Sequence, residues 1–317
     1  MKISIIGPGI MPIPPNGWGA VEILIWDYYQ ELTKNGHEVQ IVNTANMYEI
    51  INQVNEFNPD FVHLQYDDFV DVLSKLNCKF KAVTSHYGYL DAHYPNYSGY
   101  QHIFNSFVNG DFYIFCLSES IKELYLKQGV RNERLFVTPN GARSDLFKYN
   151  DTCSFPEKSI FLAKITYRKR QSYFQSIKSL YFAGNKEDSR FNYSSENYLG
   201  EWSKNELYNN LTNYSNLVLL SDGEADPLVT KEALMCGLGL VISEFSKAGL
   251  DINKPYIDVI TEDKINDLPY VESVITKNRI ISNSMREEIR KYGIENFSWD
   301  KIIISYIHLL NKILNTH

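Results

Sequence analysis

The sequence predicts an α/β protein of two doubly wound, Rossmann-like domains facing each other across a cleft. Three observations predict it. Short apolar runs alternate with helical patterns along most of the chain, the alternation starts afresh after Phe147, and 317 residues suffice for two cores. In the first series the runs 3–7, 38–42, 61–64, 81–84, 113–117 and 135–138 are predicted strands. Between them, 21–34, 47–57, 69–76 and 119–128 are predicted helices, and Gly36 follows the first as a stop. Strands separated by helices pair in parallel, with helices on both faces.

The second series has predicted strands at 159–163, 179–183, 217–220 and 239–243, and helices at 204–211 and 228–236. The first domain is set at 1–148 and the second at 152–298, with the polar, Pro156-containing stretch 148–158 as linker. A last helix, 299–314, follows the completed second sheet, and the segment 299–317 is expected to pack back across the linker. The run 171–184 is short, which predicts an abridged second domain.

Composition is that of a soluble globular chain, 44% hydrophobic and 22% charged. No apolar run is long enough to span a bilayer. The start, Met1 to Gly7, lacks the long apolar stretch and cleavage site of a signal peptide. A cytoplasmic protein is expected, and Cys78, Cys116, Cys153 and Cys236, far apart and without metal-ligand spacing, are expected to be reduced. Net charge is −7, with 11 Lys and Arg against 16 Asp and Glu over residues 1–150, and 20 against 22 over 151–317. That balance argues against a nucleic-acid partner and against peripheral docking on an anionic membrane, although a local basic patch can still form in three dimensions.

Ligands of doubly wound sheets sit at the carboxyl ends of strands, so the informative loops are those that follow strands. The first runs from Gly7-Pro8-Gly9 to Gly17-Trp18-Gly19. Pro12 stands where a dinucleotide fingerprint has its third glycine, which turns the reading away from a nicotinamide cofactor. Two readings remain: a proline-stiffened connection, or Gly17 and Gly19 brought against a diphosphate or sugar. The second loop is Ala163-Lys164-Ile165-Thr166-Tyr167-Arg168-Lys169-Arg170. Such a run usually makes a solvated basic face. At a strand end it can instead clamp a diphosphate, each charge-assisted bond contributing roughly 1.5–3 kcal/mol.

The third loop is Thr84-Ser85-His86-Tyr87-Gly88-Tyr89-Leu90. A lone histidine is more often structural than catalytic, but His86 lies at a strand end among small neighbours and can line the cleft. Tyr87, Tyr89, Tyr94, Tyr97 and Tyr100 cluster around it. Aromatic faces pack on sugar rings and phenols bond hydroxyls, although 23 tyrosines make some clustering inevitable.

The fourth loop carries the strongest signal. Glu224 and Glu232 stand eight positions apart in Glu-Ala-Asp-Pro-Leu-Val-Thr-Lys-Glu, followed by Ala233-Leu234-Met235-Cys236-Gly237. Asp226-Pro227 cannot continue a helix, so the helix starts at Leu228 and stops at Gly237. Glu224 is then in the loop before the helix and Glu232 one turn inside it. Two carboxylates beside unbonded backbone N–H groups can hold hydroxyls and an anion together, which a nucleotide-sugar offers.

These residues resemble the retaining glycosyltransferases of family four. The likeness rests on Pro139-Asn140-Gly141, Ala163-Lys164, Lys169, Gly200, Ser221 with Glu224, and Glu232 to Gly237. Gly17-Trp18-Gly19 with Glu22, Pro59-Asp60, His86 and Phe297-Ser298-Trp299 add to it, so that it covers nearly the whole chain. The resemblance implies the GT-B fold, a hexose-type nucleotide-diphosphate sugar donor (a UDP-sugar ahead of a GDP-sugar), a saccharide or glycoconjugate acceptor, and no metal. It also implies roles. Glu232 would hold the ribose, with Leu228 and Val229 beside it at the helix mouth. Glu224 would face the donor sugar, Lys164 and Lys169 would grip the diphosphate, Gly17, Trp18 and Gly19 would approach it, and His86 would lie near the transferred sugar. The chain departs from the family at Asp226-Pro227, where Phe-Gly is common, and at Lys164, where Arg is usual. The rival expectations are a catalytically silent nucleotide-sugar binder and a sugar-nucleotide epimerase that transfers nothing.

Overall fold

The computed structural model describes residues 1–17, 19–90 and 99–315. The chain divides into two compact units, Met1–Asn140 with Trp299–His317, and Gly141–Ser298.

The first unit contains β1 (Lys2–Ile6), α1 (Ala20–Lys34), β2 (Glu38–Val42), α2 (Met47–Phe57), β3 (Phe61–Leu64) and β4 (Phe80–Val83), then α3 (Gln101–Asn109), β5 (Tyr113–Cys116), α4 (Glu119–Lys127) and β6 (Leu135–Val137). The six strands lie in the order β2-β1-β3-β4-β5-β6, every pairing parallel. β1 is interior because Ile3, Ile5 and Ile6 leave it apolar on both faces; all three are fully buried. Each such side chain contributes roughly 1.5–3 kcal/mol. Its buried polar member, Ser4, donates to Gln40 Oε1 at 2.7 Å. The closing helix, Trp299–Asn315, belongs to this unit. Trp299 meets the Tyr28 ring edge-on at 4.7 Å, and the Tyr306 hydroxyl lies 2.9 Å from His63 Nδ1.

The helix expected over 69–76 is instead a 3₁₀ run, Asp67–Lys75. Its buried side chains, Phe69, Val70, Val72 and Leu73, form two pairs spaced by three. That spacing aligns on one side of a three-residue turn, not on a 3.6-residue one.

The second unit contains β7 (Phe155–Leu162), α5 (Gln171–Phe174), β8 (Leu180–Ala183), α6 (Lys204–Asn210), β9 (Tyr214–Leu219), α7 (Leu228–Met235), β10 (Gly239–Ser243), β11 (Ile257–Ile260), α8 (Leu268–Ser284) and α9 (Arg286–Phe297). Five parallel strands run β11-β10-β9-β7-β8. β7 begins inside the stretch expected to be linker. Phe155 pairs with Tyr214, and the register then shifts before Ser159, an irregularity that accommodates Pro156. The short run 171–184 holds the four-residue α5 and then β8.

Both sheets reverse the direction of strand succession once, between β1 and β3 and between β7 and β9. The loops leaving the carboxyl ends of those strands are therefore the places to look for ligand chemistry. Among the described residues, no helix is long and apolar enough to cross a membrane.

Candidate functional site

At the second sheet's reversal, the loop after β7 meets the loop after β9. Thr166 Oγ1 caps a short 3₁₀ turn, Tyr167–Lys169, by accepting from Lys169 N at 3.3 Å. Buried Gln171 fixes the same loop from below, accepting from Thr166 N at 3.2 Å and donating to Lys164 O at 2.9 Å. So held, Lys169 Nζ donates to Glu224 Oε1, and Arg168 Nη1 lies 3.4 Å from the same oxygen. Arg168 also donates to Gly223 O, and Asp222 N donates to Arg168 O at 3.0 Å, so the loops are joined by backbone as well as charge.

Burial alone would push the Glu224 carboxyl up, but Lys169 and then Arg168 outweigh it and hold the group below the ordinary carboxylate range. Glu224 is thus ionised at neutral pH. Burial draws the Lys169 ammonium down, with Glu224 opposing. Asp222 also acts on Lys169, so the two cations here face two carboxylates.

Two other cations of the loop point elsewhere. Lys164 pairs with Glu187, and Arg170 makes a bidentate pair with Glu262 at 2.8 Å. By sequence, both Lys164 and Lys169 are expected on a diphosphate; in the structure Lys169 pairs with Glu224 and Lys164 with Glu187. Arg168 is the partner that sequence reasoning did not single out; its adjacency to Lys169 was the available signal.

Helix α7 starts beside this cluster. Pro227 is its N-cap, extended at φ −66° and ψ 122°, so the helix mouth has no side-chain cap. Leu228 and Val229 are the first two helical residues, and their N–H groups precede the intrahelical ladder. Half-buried Glu232 follows one turn in. Asp226 turns inward to a buried ion pair with Lys231, both side chains fully enclosed, and Thr230 Oγ1 donates to Pro227 O at 2.7 Å. The Asp226-Pro227 turn is therefore built into the fold by a lysine five residues on. The sequence showed that lysine but gave no sign that it was buried.

In the first unit, the loop after β1 is pinned by Asn43, which accepts from Gly9 N and donates to Met11 O, both at 2.8 Å. Gly9 has φ +67°, and a Cβ there would lie 2.3 Å from the Thr44 and Ala45 backbone. Gly19, at φ +127°, is the buried N-cap of α1, and Gly17 is half-buried. Trp18, Tyr94 and Tyr97 lie outside the described residues.

His86 lines a cavity of about 470 Å³ with Gln65, Tyr66, Asp68 and Val21, at the carboxyl ends of β3 and β4. Its Nε2 is 2.8 Å from Gln65 Oε1. Gln65 Nε2 is 3.2 Å from His63 Nδ1, and His63 Nε2 is 2.8 Å from Thr84 Oγ1. Burial pushes the His63 imidazole down to about 3 and that of His86 down to about 4, so both rings are neutral at pH 7. Tyr87 stacks on Tyr100 at 4.0 Å, and the buried Tyr100 hydroxyl lies 2.6 Å from Ser85 Oγ, which itself donates to Asp67 at 2.6 Å. Tyr87 and Tyr100, two of the tyrosines that the sequence groups around His86, line the same cavity. Among the described residues, no three His, Cys, Asp or Glu side chains converge as metal ligands.

No protein-family model and no curated protein matches the sequence. Solved structures do match. A sucrose-phosphate synthase from Thermosynechococcus elongatus aligns over 100% of both chains at 14% identity and a TM-score of 0.78. HepE from Anabaena, crystallised with UDP-glucose, aligns over 98% of this chain and 100% of its own, at 12% identity and 0.73. The lipopolysaccharide outer core galactosyltransferase WaaB aligns over 97% and 99%, at 17% identity and 0.67. Two parallel Rossmann-like units and these likenesses define the fold class. The chain has the GT-B fold.

Proposed function

We propose that this chain is a retaining glycosyltransferase of family four that moves a hexose-type sugar from a nucleotide-diphosphate sugar to a hydroxyl of a saccharide or glycoconjugate. It does so without a divalent metal, and a UDP-sugar is preferred over a GDP-sugar. The observation that carries the reading is the cluster at the second sheet's reversal, where Lys169 and Arg168 grip Glu224 beside the uncapped mouth of α7. The UDP-glucose complex of HepE and the galactosyltransferase WaaB support a UDP-hexose donor.

In this reading the diphosphate lies against the α7 mouth, at Leu228 and Val229, where helix N–H groups and nearby cations meet the negative charge that grows as the glycosidic bond breaks. Lys164 exchanges Glu187 for the diphosphate. That pair is about one-third and one-half exposed, 36% and 54%, so breaking it costs little. Glu232 takes the ribose hydroxyls. Glu224, ionised and already engaged by two cations, accepts from donor sugar hydroxyls and makes no covalent bond. The acceptor hydroxyl attacks the anomeric carbon from the face the diphosphate leaves, the bond to the diphosphate breaks, and the diphosphate takes the proton. In the first unit the neutral His86, facing its cavity, bonds the sugar or acceptor. Gly17, Trp18 and Gly19 approach the donor.

Calorimetric titration with a panel of UDP- and GDP-sugars tests the reading. One donor should bind, and Glu232→Ala should weaken it at least tenfold, about 1.4 kcal/mol, with an unchanged circular dichroism spectrum. Failure of every nucleotide-sugar to bind would refute it. Conversion of donor with no acceptor present would make the protein an epimerase. A glycosyl adduct seen by intact mass with a slow donor would replace same-face attack by a double displacement.

A further inference from the structure

A second cavity of the first unit, of about 790 Å³, opens at the amino ends of β4, β5 and β6, lined there by Phe80, Lys81, Tyr113 and Leu135. His86 and its cavity occupy the carboxyl ends of the same sheet. The strands are parallel, so the two hollows lie at opposite strand ends of the sheet.

The lining is unlike the rest of the unit. The first unit has 11 Lys and Arg against 16 Asp and Glu, yet among the described residues six of the cations and two of the carboxylates, Asp111 and Glu133, line this hollow. One of the six is committed to the fold. Arg134 donates to the Phe112, Val108 and Phe107 carbonyls at 2.9, 3.3 and 3.0 Å and so closes the end of α3. The other five, Lys79, Lys81, Lys122, Arg131 and Lys312, come from four separate stretches of sequence, the last of them the closing helix. Lys79 and Lys312 lie over the rings of Phe80 and Phe136, at 5.0 and 5.9 Å, and Lys81 makes one long bond to Leu76 O at 3.5 Å.

Like charges gathered in a concavity with aromatic walls focus a positive potential, and the clustering opposes folding unless a counter-anion relieves it. The volume is that of a small-molecule site. Several cations around one point suit an anion of more than one charge with several acceptor oxygens, as a phosphate group presents. We infer that this hollow binds a phosphate-bearing ligand whose apolar or aromatic body rests on Phe80, Phe112 and Phe136. The ligand sits at the sheet edge away from the strand ends where such folds do chemistry, so it is bound without being transformed. Its source is either a soluble phosphorylated molecule or the headgroup of an anionic lipid.

The experiment compares three forms of the whole chain, each carrying Lys164→Ala to weaken the diphosphate site of the proposed function: that parent, the parent with Lys122→Ala and Arg131→Ala, and the parent with Lys277→Ala, an exposed lysine remote in sequence, at one ionic strength. Inorganic pyrophosphate is titrated by calorimetry, and vesicles of phosphatidylglycerol or phosphatidylcholine are sedimented with the protein. The parent should bind pyrophosphate or the phosphatidylglycerol vesicles. The Lys122/Arg131 pair should bind at least tenfold more weakly, and Lys277→Ala within twofold of the parent. Pyrophosphate binding supports the site with a soluble source. Binding of anionic vesicles alone supports it with a headgroup source. Should the pair variant misfold, Lys79→Glu with Lys312→Glu, both on exposed residues, must give the same loss. Binding to neither probe, equal binding by the parent and the pair, or an equal loss in Lys277→Ala would overturn the inference.

Discussion

Both sheets carry polar groups at the carboxyl ends of their strands but handle burial in opposite ways. Where β7 and β9 part, the groups are ions: Glu224 is held charged by Lys169 and Arg168, and Asp226 is locked to Lys231. Where β3 and β4 end in the first unit, His63, Gln65, Thr84 and His86 form a chain of uncharged hydrogen bonds, beside which Asp67 accepts from Ser85. Buried ions are tolerable only when paired, whereas a neutral network needs only satisfied donors and acceptors. The charged arrangement therefore suits an anion that arrives with its own charge. The neutral one suits hydroxyls, and its protonation state does not change near neutral pH.

The comparison breaks most visibly if one ion of the second unit is removed. Lys231→Ala leaves Asp226 charged and enclosed, and should lower stability by about 3–5 kcal/mol, read as a shifted urea midpoint. Asp226→Leu with Lys231→Met should restore most of that loss, because an apolar pair of similar volume needs no compensation. If the single substitution cost less than about 1 kcal/mol, the second unit would not depend on paired buried ions. For activity, Lys169→Ala should lower the transfer rate by about 10²–10³-fold, the usual cost of one positioned charge stabiliser, measured as nucleotide release from the donor.

Acid should expose the neutral side instead. His63 and His86 have folded pKa values of about 3 and about 4, below the unfolded value near 6.5. Between those limits the unfolded chain binds more protons, so stability is complete above about pH 6.5 and falls as pH drops through the window. Each histidine contributes a slope of up to about 1.4 kcal/mol per pH unit. Asp67, raised by burial, acts in the opposite sense near its own pKa. Urea midpoints at pH 7 and pH 5.5 should differ by about 2 kcal/mol and by roughly half that in His86→Gln. Identical midpoints would show that the imidazoles titrate normally and that the network is not neutral.

Apolar continuity made the sheets legible. Glu38–Val42, Phe61–Leu64 and Gly239–Ser243, together with the helix Met47–Phe57, have the bounds the sequence predicts. Helices α8 and α9 were illegible for a physical reason: their inward faces carry polar residues. Buried Asn278 donates to Leu240 O and Tyr256 O at 3.1 Å, and Arg279 reaches Ser159 Oγ at 3.1 Å. Buried Arg286 donates to the Thr212, Tyr214 and Cys236 carbonyls. These side chains satisfy backbone groups at strand ends and so replace the apolar period that marks a helix. β11 was missed because Ile257–Ile260 is four residues long and interrupted by Asp258. At the site, sequence identified Glu224 and Lys169 as partners in function, but their contact spans 55 positions and only folding could choose Lys169 and Arg168 over Lys164. The basic hollow lay hidden behind an acidic average because its cations come from distant stretches.

The smallest expected effect asks whether the two units differ in anything beyond their sites. Helix α2 in the first unit is capped by Asn46, whose Oδ1 accepts from Tyr48 N at 3.0 Å and Glu49 N at 3.4 Å. Helix α6 in the second is capped by Ser203, which accepts from Glu206 N at 3.3 Å while Glu206 Oε2 accepts from Ser203 N at 2.8 Å, a reciprocal capping box. Both caps are exposed, so neither owes its strength to burial. Asn46→Ala and Ser203→Ala should each cost about 1 kcal/mol, seen as small matched shifts in the urea midpoint. Equal costs would confine the contrast between the units to their buried groups. A cost several times larger in one unit would mean that its surface helices, and not only its site, depend on polar contacts.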